Sequence, residues 1–272
     1  MAATILHSRL VHAPWQSAQT ARLPGTAPVA PEDWLTVDAL YAAQLVERAR
    51  LIAQRPAEVI AARPGAAPAR DELFDTVLAA LDARPGFARE GAAMRRPDGQ
   101  AWPLDRGAPL ATLGRLVQED LCLLEKPQGA DEHVLTAAVL CFPASWTLAE
   151  KIGRPLGAIH APVAEYDGRL AARVQRLFDG LRPVEAGGRI LMRMNALDHD
   201  RPELFQARRE DAPRPQGRGD GRYLRIERQC LRKLPRTGAV VFSIHTTVLD
   251  RAALSPGEAA AFAAHRAAAA AG

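Results

Sequence analysis

Two runs of alternating polarity, Tyr223 to Arg232 and Ala239 to Leu249, flank the segment Leu234-Pro235-Arg236-Thr237-Gly238, and this pairing constrains the fold more than any other stretch. Side chains alternate across a strand, so Leu224, Ile226 and Cys230 share one face of the first run while Arg225, Glu227 and Gln229 share the other. In the second run Val240, Phe242, Ile244 and Val248 lie opposite Ser243, His245 and Thr247. A Pro- and Gly-bearing turn between two such runs predicts a long antiparallel hairpin. Each strand has a polar face that a sheet lining a cofactor pocket can use. A third run, Arg189 to Leu197, sets Arg189, Leu191, Arg193 and Asn195 against Ile190, Met192 and Met194 and also reads as a strand.

The remaining elements are shorter. Leu121-Cys122-Leu123-Leu124 and Val134 to Phe142 read as buried strands joined as a hairpin across Lys126-Pro127-Gln128-Gly129. Helical spacing predicts helices over Val37 to Gln54, Arg70 to Ala83, Leu110 to Val117 and Asp167 to Leu181, with a short one through Lys151 capped by Thr147 or Ser145. Residues 84 to 108 read as a long connection, residues 199 to 221 as a polar loop, and Ser255-Pro256-Gly257-Glu258 opens a terminal Ala-rich helix. Helices before, within and after five strands joined mostly as hairpins predict an α+β fold with an antiparallel sheet, not a doubly wound parallel one. The division expected is an N-terminal arm over residues 1 to 35 anchored by Trp34, a main domain over 36 to 250, and a helical tail over 251 to 272.

Composition excludes several function classes. A chain of 272 residues that is 48% hydrophobic can bury a sizeable core. A formal charge of +4 is too small over this length to argue for nucleic acid, and no basic face interleaved with aromatics suits a single strand. Cys122, Cys141 and Cys230 stand too far apart for a zinc or iron–sulfur motif, and no Gly-rich dinucleotide fingerprint occurs. With neither a signal-peptide core nor an apolar run of membrane length, the expectation is a cytoplasmic protein with no membrane segment.

Several motifs then fall in order: Cys141-Phe142-Pro143-x-x-Trp146, Glu150-Lys151-Ile152-Gly153, Ile159-His160-x-Pro162-Val163, Arg193-x-Asn195, and Leu224-Arg225-x-Glu227-Arg228-Gln229-x-Leu231-x-x-Leu234-Pro235-x-Thr237-Gly238. Together they resemble the haem-dependent oxidative N-demethylase family, over roughly residues 35 to 250 and most densely in the last half. The resemblance implies haem b held in a PAS-like fold. It implies oxygen-dependent removal of a methyl group from a small amine such as dimethylamine, with electrons from a separate NADPH-dependent reductase carrying FMN and a 2Fe–2S centre. The family commonly has Trp where this chain has Ala196, and often Arg and an aromatic where it has His245 and Thr247. Those three departures are expected on the pocket side of their strands.

Under this resemblance His160, in the loop Gly153 to Val163, becomes the axial ligand of the iron and so the metal-binding residue. A neutral imidazole suits that role, binding iron through one nitrogen while an acceptor orients the other. His245 is the competing ligand; His133 and His199 read as surface residues, and His7, His12 and His265 as peripheral. Haem propionates need cations, for which Lys151, Arg154, Arg193 and Arg225 are the candidates. An amine arrives as a cation, and Glu227 is the first candidate to receive it, ahead of Glu119 and Asp120; Arg193 and Asn195 complete the catalytic set. Glu227 can instead pair with Arg193, Arg225 or Arg228. Between Arg208 and Arg236 cations outnumber acids, an excess able to steer an acidic electron-transfer partner. Two other readings stay open: a non-catalytic or gas-sensing PAS-like haem protein, with His160 and His245 as paired ligands, and a haem-free interaction protein.

Overall fold

The long hairpin forms, and the rest of the molecule is layered on it. The computed structural model describes residues 4–17, 19–21, 25–161, 168–212 and 221–270. In chain order the elements are β1 (Ala27–Val29), α1 (Tyr41–Gln54), α2 (Pro56–Val59), β2 (Ile60–Ala62), α3 (Ala67–Asp82), β3 (Ala88–Glu90), β4 (Ala93–Arg95), β5 (Ala101–Pro103), α4 (Pro109–Leu113), β6 (Asp120–Glu125) and β7 (Val134–Val139). They continue with α5 (Leu148–Lys151), α6 (Leu156–His160), α7 (Gly168–Gly180), β8 (Ile190–His199), β9 (Tyr223–Lys233), β10 (Val240–Asp250) and α8 (Pro256–Ala270).

The main sheet has seven strands in the order β1-β8-β9-β10-β6-β7-β2, every pairing antiparallel. The chain is therefore α+β, as its hairpin pattern predicts. Residues 84 to 108 depart from the expected bare connection: β3, β4 and β5 form a small sheet of their own. Three-residue strands between Gly and Pro are too short to leave a period in the sequence.

Each face of the large sheet carries its own apolar layer. On the rear, Leu121, Leu123 and Val241 pack with Leu45, Leu51, Leu73, Phe74 and Val77 of α1 and α3. At the far end of that face, Leu224, Ile226 and Leu249 meet Phe262 of α8, and Trp15 stacks on Phe262 with ring centroids 5.2 Å apart. On the front, Cys122, Leu124, Leu231 and Val240 meet Leu148, Leu156 and Phe178 of α5, α6 and α7. Register decides which polar side chains join which layer. Because Phe242 pairs with Leu231 and Leu191 does too, Arg225, Glu227 and Gln229 share the front with Arg193 and Asn195, whereas His245 pairs with Arg228 and faces the rear.

Polar anchors fix the N-terminal elements to the sheet. Arg48 and Asp120, both 0% exposed in their side chains, form an ion pair of 2.7 Å. Arg48 also donates to the carbonyls of Gly114 and Gln118, and Asp120 accepts from the backbone N–H groups of Cys141 and Phe142. A buried pair with its lone pairs filled this way tolerates desolvation; taking one partner away costs roughly 3–5 kcal/mol. Trp34 is fully buried, and its Nε1 donates to Ser243 Oγ at 3.0 Å, while Arg228 donates to the Trp34 and Asp33 carbonyls. Beyond Ile244, where β6 leaves β10, the segment around His7 takes its place, with the His7 N–H donating to Val248 O at 2.8 Å.

Candidate functional site

His160 is the last residue of α6, not part of a loop. Gly153 and Pro155 suggest a break in the sequence, but Pro155 is the residue that begins the turn, and Leu156 N–H donates to His133 O at 3.0 Å. Glu132 anchors the same turn by accepting from Gly157 N–H at 2.7 Å. Gly157 is what allows that approach, since a Cβ there would lie 2.9 Å from Glu132 Oε1. The His160 ring is half-buried, and its Nδ1 lies 2.9 Å from the Leu156 carbonyl. A carbonyl in that position holds the proton on Nδ1 and leaves the lone pair on Nε2, the tautomer a metal ligand needs. Burial lowers the His160 pKa and the charges of Arg193 and Lys151 add to it, against the hydrogen bond to Leu156 O and the charge of Glu132, and the net direction favours the neutral ring. The exit Pro162-Val163 and the start of the next helix at Asp167 lie outside the described residues.

Opposite α6 is the polar part of the front face. Glu227 is 7% exposed; its Oε1 accepts from Arg225 Nε at 3.2 Å and its Oε2 from Gln229 Nε2 at 3.0 Å. Arg225 is fully buried, with its other donors on the carbonyls of Leu204 and Phe142 and on Thr246 Oγ1. Arg225 therefore holds Glu227 and two chain segments in place. Asn195 pairs across the strands with Glu227, and Arg193 with Gln229. These last two are unfinished: Arg193 Nε and Asn195 Oδ1 are buried with no hydrogen-bond partner. Burial pushes the Arg193 guanidinium below its usual range while Glu227 pushes back, and a guanidinium keeps its charge regardless. An unsatisfied buried polar atom costs about 1–3 kcal/mol, a condition these two share with Arg48 Nη2 and Glu119 Oε2 elsewhere, so a partner that reached either of them would be stabilised.

Lys151 and Arg154 meet at a third group. Lys151, buried, donates to the Ile159 carbonyl at 2.6 Å and to Glu210, and half-exposed Arg154 donates to Glu210 at 3.1 Å. Glu210 gives no sign in the sequence, where it is one acid in a polar loop. Thr147, expected to cap α5, instead donates to Glu150 at 2.5 Å, and Glu150 accepts from the Glu210 N–H. The structure thus sets Arg193, Asn195, Glu227 and Arg225 on one face of the sheet, with His160 close enough to Arg193 and Lys151 to feel their charges, and joins Lys151 and Arg154 through Glu210.

Four histidine readings need correction. His245 lies on the opposite face of the sheet from His160, 1% exposed and 3.2 Å from Asp38 Oδ2, so the two cannot ligate one iron. His7 is buried rather than peripheral and shares the same carboxylate oxygen at 2.8 Å. His133 is also buried, bonded to Gln175 Nε2 at 2.9 Å, and His199 is half-buried against Gln206. Ala196 and Thr247 pair with Ile226, whose side chain packs to the rear. All three departures from the family pattern, Ala196, His245 and Thr247, are therefore behind the sheet and not on its pocket side.

The basic stretch from Arg208 to Arg236 is largely engaged. Arg209 pairs with Asp211, Arg222 with Asp250, Arg225 with Glu227, Arg232 with Glu185, and Arg236 with Asp75. Arg214, Arg218 and Asp220 lie outside the described residues. Among the described residues no helix is long and apolar enough to cross a membrane.

The front face carries residues of the kinds a haem uses: an imidazole oriented by a carbonyl, an apolar layer that includes Ile159, Leu177, Phe178, Leu191 and Phe242, and the cations Lys151 and Arg154 paired with Glu210. No curated protein matches the chain. A family model described as haem-dependent oxidative N-demethylase, alpha subunit-like, matches residues 25–267, and the family takes its name from haem dependence. Its match over most of the sequence shows that the chain belongs to the haem-dependent oxidative N-demethylase alpha subunit-like family.

Proposed function

We propose that this chain is the haem-binding subunit of a monooxygenase that removes a methyl group oxidatively from a small methylated amine. The observation that carries the reading is His160, a neutral imidazole oriented by Leu156 O and facing the unfinished polar patch of the sheet, in a chain of this family. The central strands support the PAS-like part. Taken by themselves, β6 to β10 lie in the order second, first, fifth, fourth, third, with α5, α6 and α7 all inserted between the second and third. We keep residues 36 to 250 as the haem-binding unit, packed by the arm and the tail, in a cytoplasmic protein.

In this reading His160 Nε2 holds the iron of a haem b, and Lys151 and Arg154 reach the propionates by exchanging contacts with Glu210. Haem, when bound, supplies the activation of O2. One oxygen atom enters a C–H bond of the N-methyl group; the other leaves as water, taking two electrons and two protons. The resulting N–CH2OH group splits at its C–N bond, its hydroxyl proton passes to nitrogen, and formaldehyde and the demethylated amine depart. The electrons come from a separate NADPH-dependent reductase carrying FMN and a 2Fe–2S centre, as the resemblance to the family implies. Glu227, with lone pairs remaining after its bonds to Arg225 and Gln229, receives the ammonium, and Asn195 Oδ1 stands beside it to accept a second N–H.

The test is the absorption spectrum of protein from haem-replete cells, reduced with and without carbon monoxide, beside His160→Ala and His245→Ala. The expected result is a Soret band lost or shifted in His160→Ala alone. A wild-type protein without a Soret band after haem is supplied would overturn the reading, and formaldehyde release from dimethylamine with a competent reductase tests the reaction.

A further inference from the structure

We infer that the substrate is a zwitterion, an N-methylated amino acid, whose carboxylate is held by Arg193 and whose ammonium is held by Glu227 and Asn195. The inference rests on the reading of this face as the substrate side and names the substrate class. Its first support is charge. On β8 and β9 the front face sets the guanidinium groups of Arg193 and Arg225 against one carboxylate, that of Glu227. Arg225 already neutralises Glu227 at 3.2 Å, which leaves the charge of Arg193 in excess. A bare ammonium such as dimethylammonium meets a net positive surface; a molecule with one carboxylate and one ammonium does not.

Its second support is bonding. Arg193 forms no ion pair and no hydrogen bond among the described residues, and its Nε is buried and unpartnered. Glu227 reaches it only through space, opposing the effect of burial on its charge. The two therefore stand near each other on one face without touching, because Asn195, not Arg193, occupies the strand position directly across from Glu227. A cation and an anion held apart in this way match the two ends of an amino acid. Asn195 Oδ1, also buried and unpartnered, lies next to the carboxylate and supplies an acceptor to the ammonium end. Arg is the residue suited to a carboxylate, which it grips with two parallel N–H bonds.

A haem propionate is the other carboxylate that could reach Arg193, and the experiment separates the two. Titration calorimetry of the purified protein, with the Soret band recorded alongside, uses N-methylglycine and dimethylamine as probes on wild type, Arg193→Leu, Arg193→Lys and Glu227→Gln. Wild type is expected to bind N-methylglycine more tightly than dimethylamine. Arg193→Leu should weaken N-methylglycine about 10- to 100-fold, the range for a lost hydrogen bond to a charged group, without weakening dimethylamine. Arg193→Lys, which keeps the charge and controls for folding, should fall between, and Glu227→Gln should weaken both probes. Preference of wild type for dimethylamine, or N-methylglycine binding unchanged in Arg193→Leu, overturns the proposal. Loss of the Soret band in Arg193→Leu assigns the guanidinium to a propionate and also overturns it. A wild-type protein without haem sinks the haem reading alone, because the two probes still decide the substrate class by heat.

Discussion

Two buried polar groups of this molecule look alike in composition and differ in completion. Where α1 crosses the start of β6, Arg48 and Asp120 close on each other and on four backbone groups, with both side chains sealed from water and Arg48 Nη2 alone left without a partner. On the front of β8 and β9, Arg193, Asn195 and Glu227 also lie together, yet Arg193 Nε and Asn195 Oδ1 find no partner. The first arrangement ties a helix to a sheet. In the proposed function the second holds charge for a ligand. The first is the more deeply buried, with Arg193 and Asn195 only half-buried, but the larger difference is that the charge of Arg48 is paired whereas Arg193 has no side-chain partner among the described residues.

The comparison breaks if the closed group proves dispensable. Asp120→Ala leaves Arg48 buried without its partner and two backbone N–H groups without an acceptor, and should lower stability by roughly 3–5 kcal/mol in a urea unfolding series. Ser243→Ala removes the acceptor of Trp34 Nε1 on the rear face and should cost about 1–3 kcal/mol by the same measurement. Arg193→Leu, which breaks no bond within the chain, should change stability by less than about 1 kcal/mol in either direction. A loss of several kcal/mol there would show that the open group is structural after all.

The smallest effect is on pH dependence. Burial, with Arg228 and His245 adding to it, holds His12 at about 4 against an ordinary value of 6.5. Burial lowers His133 and His160 as well. These rings stay neutral in the folded chain at a pH where the unfolded chain binds protons. Stability should therefore be level above about 6.5 and fall as the pH drops toward 4, and His12→Asn should flatten part of that slope in denaturation midpoints measured across the window.

Much of the architecture was legible because long elements repeat their signal. The alternation over β8, β9 and β10 and the 3.6-residue spacing of α1, α3 and α7 each recur often enough to be read. Alternation assigns side chains to faces within one strand, but it cannot say which face of β10 adjoins the polar face of β9. That depends on register, here Phe242 opposite Leu231, and it places Thr246 rather than His245 and Thr247 beside Glu227. His133 and His199 read as surface residues because their partners Gln175 and Gln206 are brought to them only by the fold. Of the site, Arg193, Asn195, Glu227 and Gln229 were readable as one kind of face, whereas Glu210 was not, since a polar loop carries no period.

The contact of His7 with Val248 bears on how the molecule is made. The two residues are 241 positions apart, and Trp34 and Ser243 are 209 apart. At a synthesis rate of roughly 5–20 residues per second, about 10 to 50 seconds separate the making of His7 from the arrival of the strand that receives it. During that interval the early segment has no place to dock, and the sheet edge it will cover does not yet exist. Closure of β10 is thus set among the last events of folding during synthesis, whereas a full-length chain that refolds has both segments present from the start and faces only the cost of closing so long a loop.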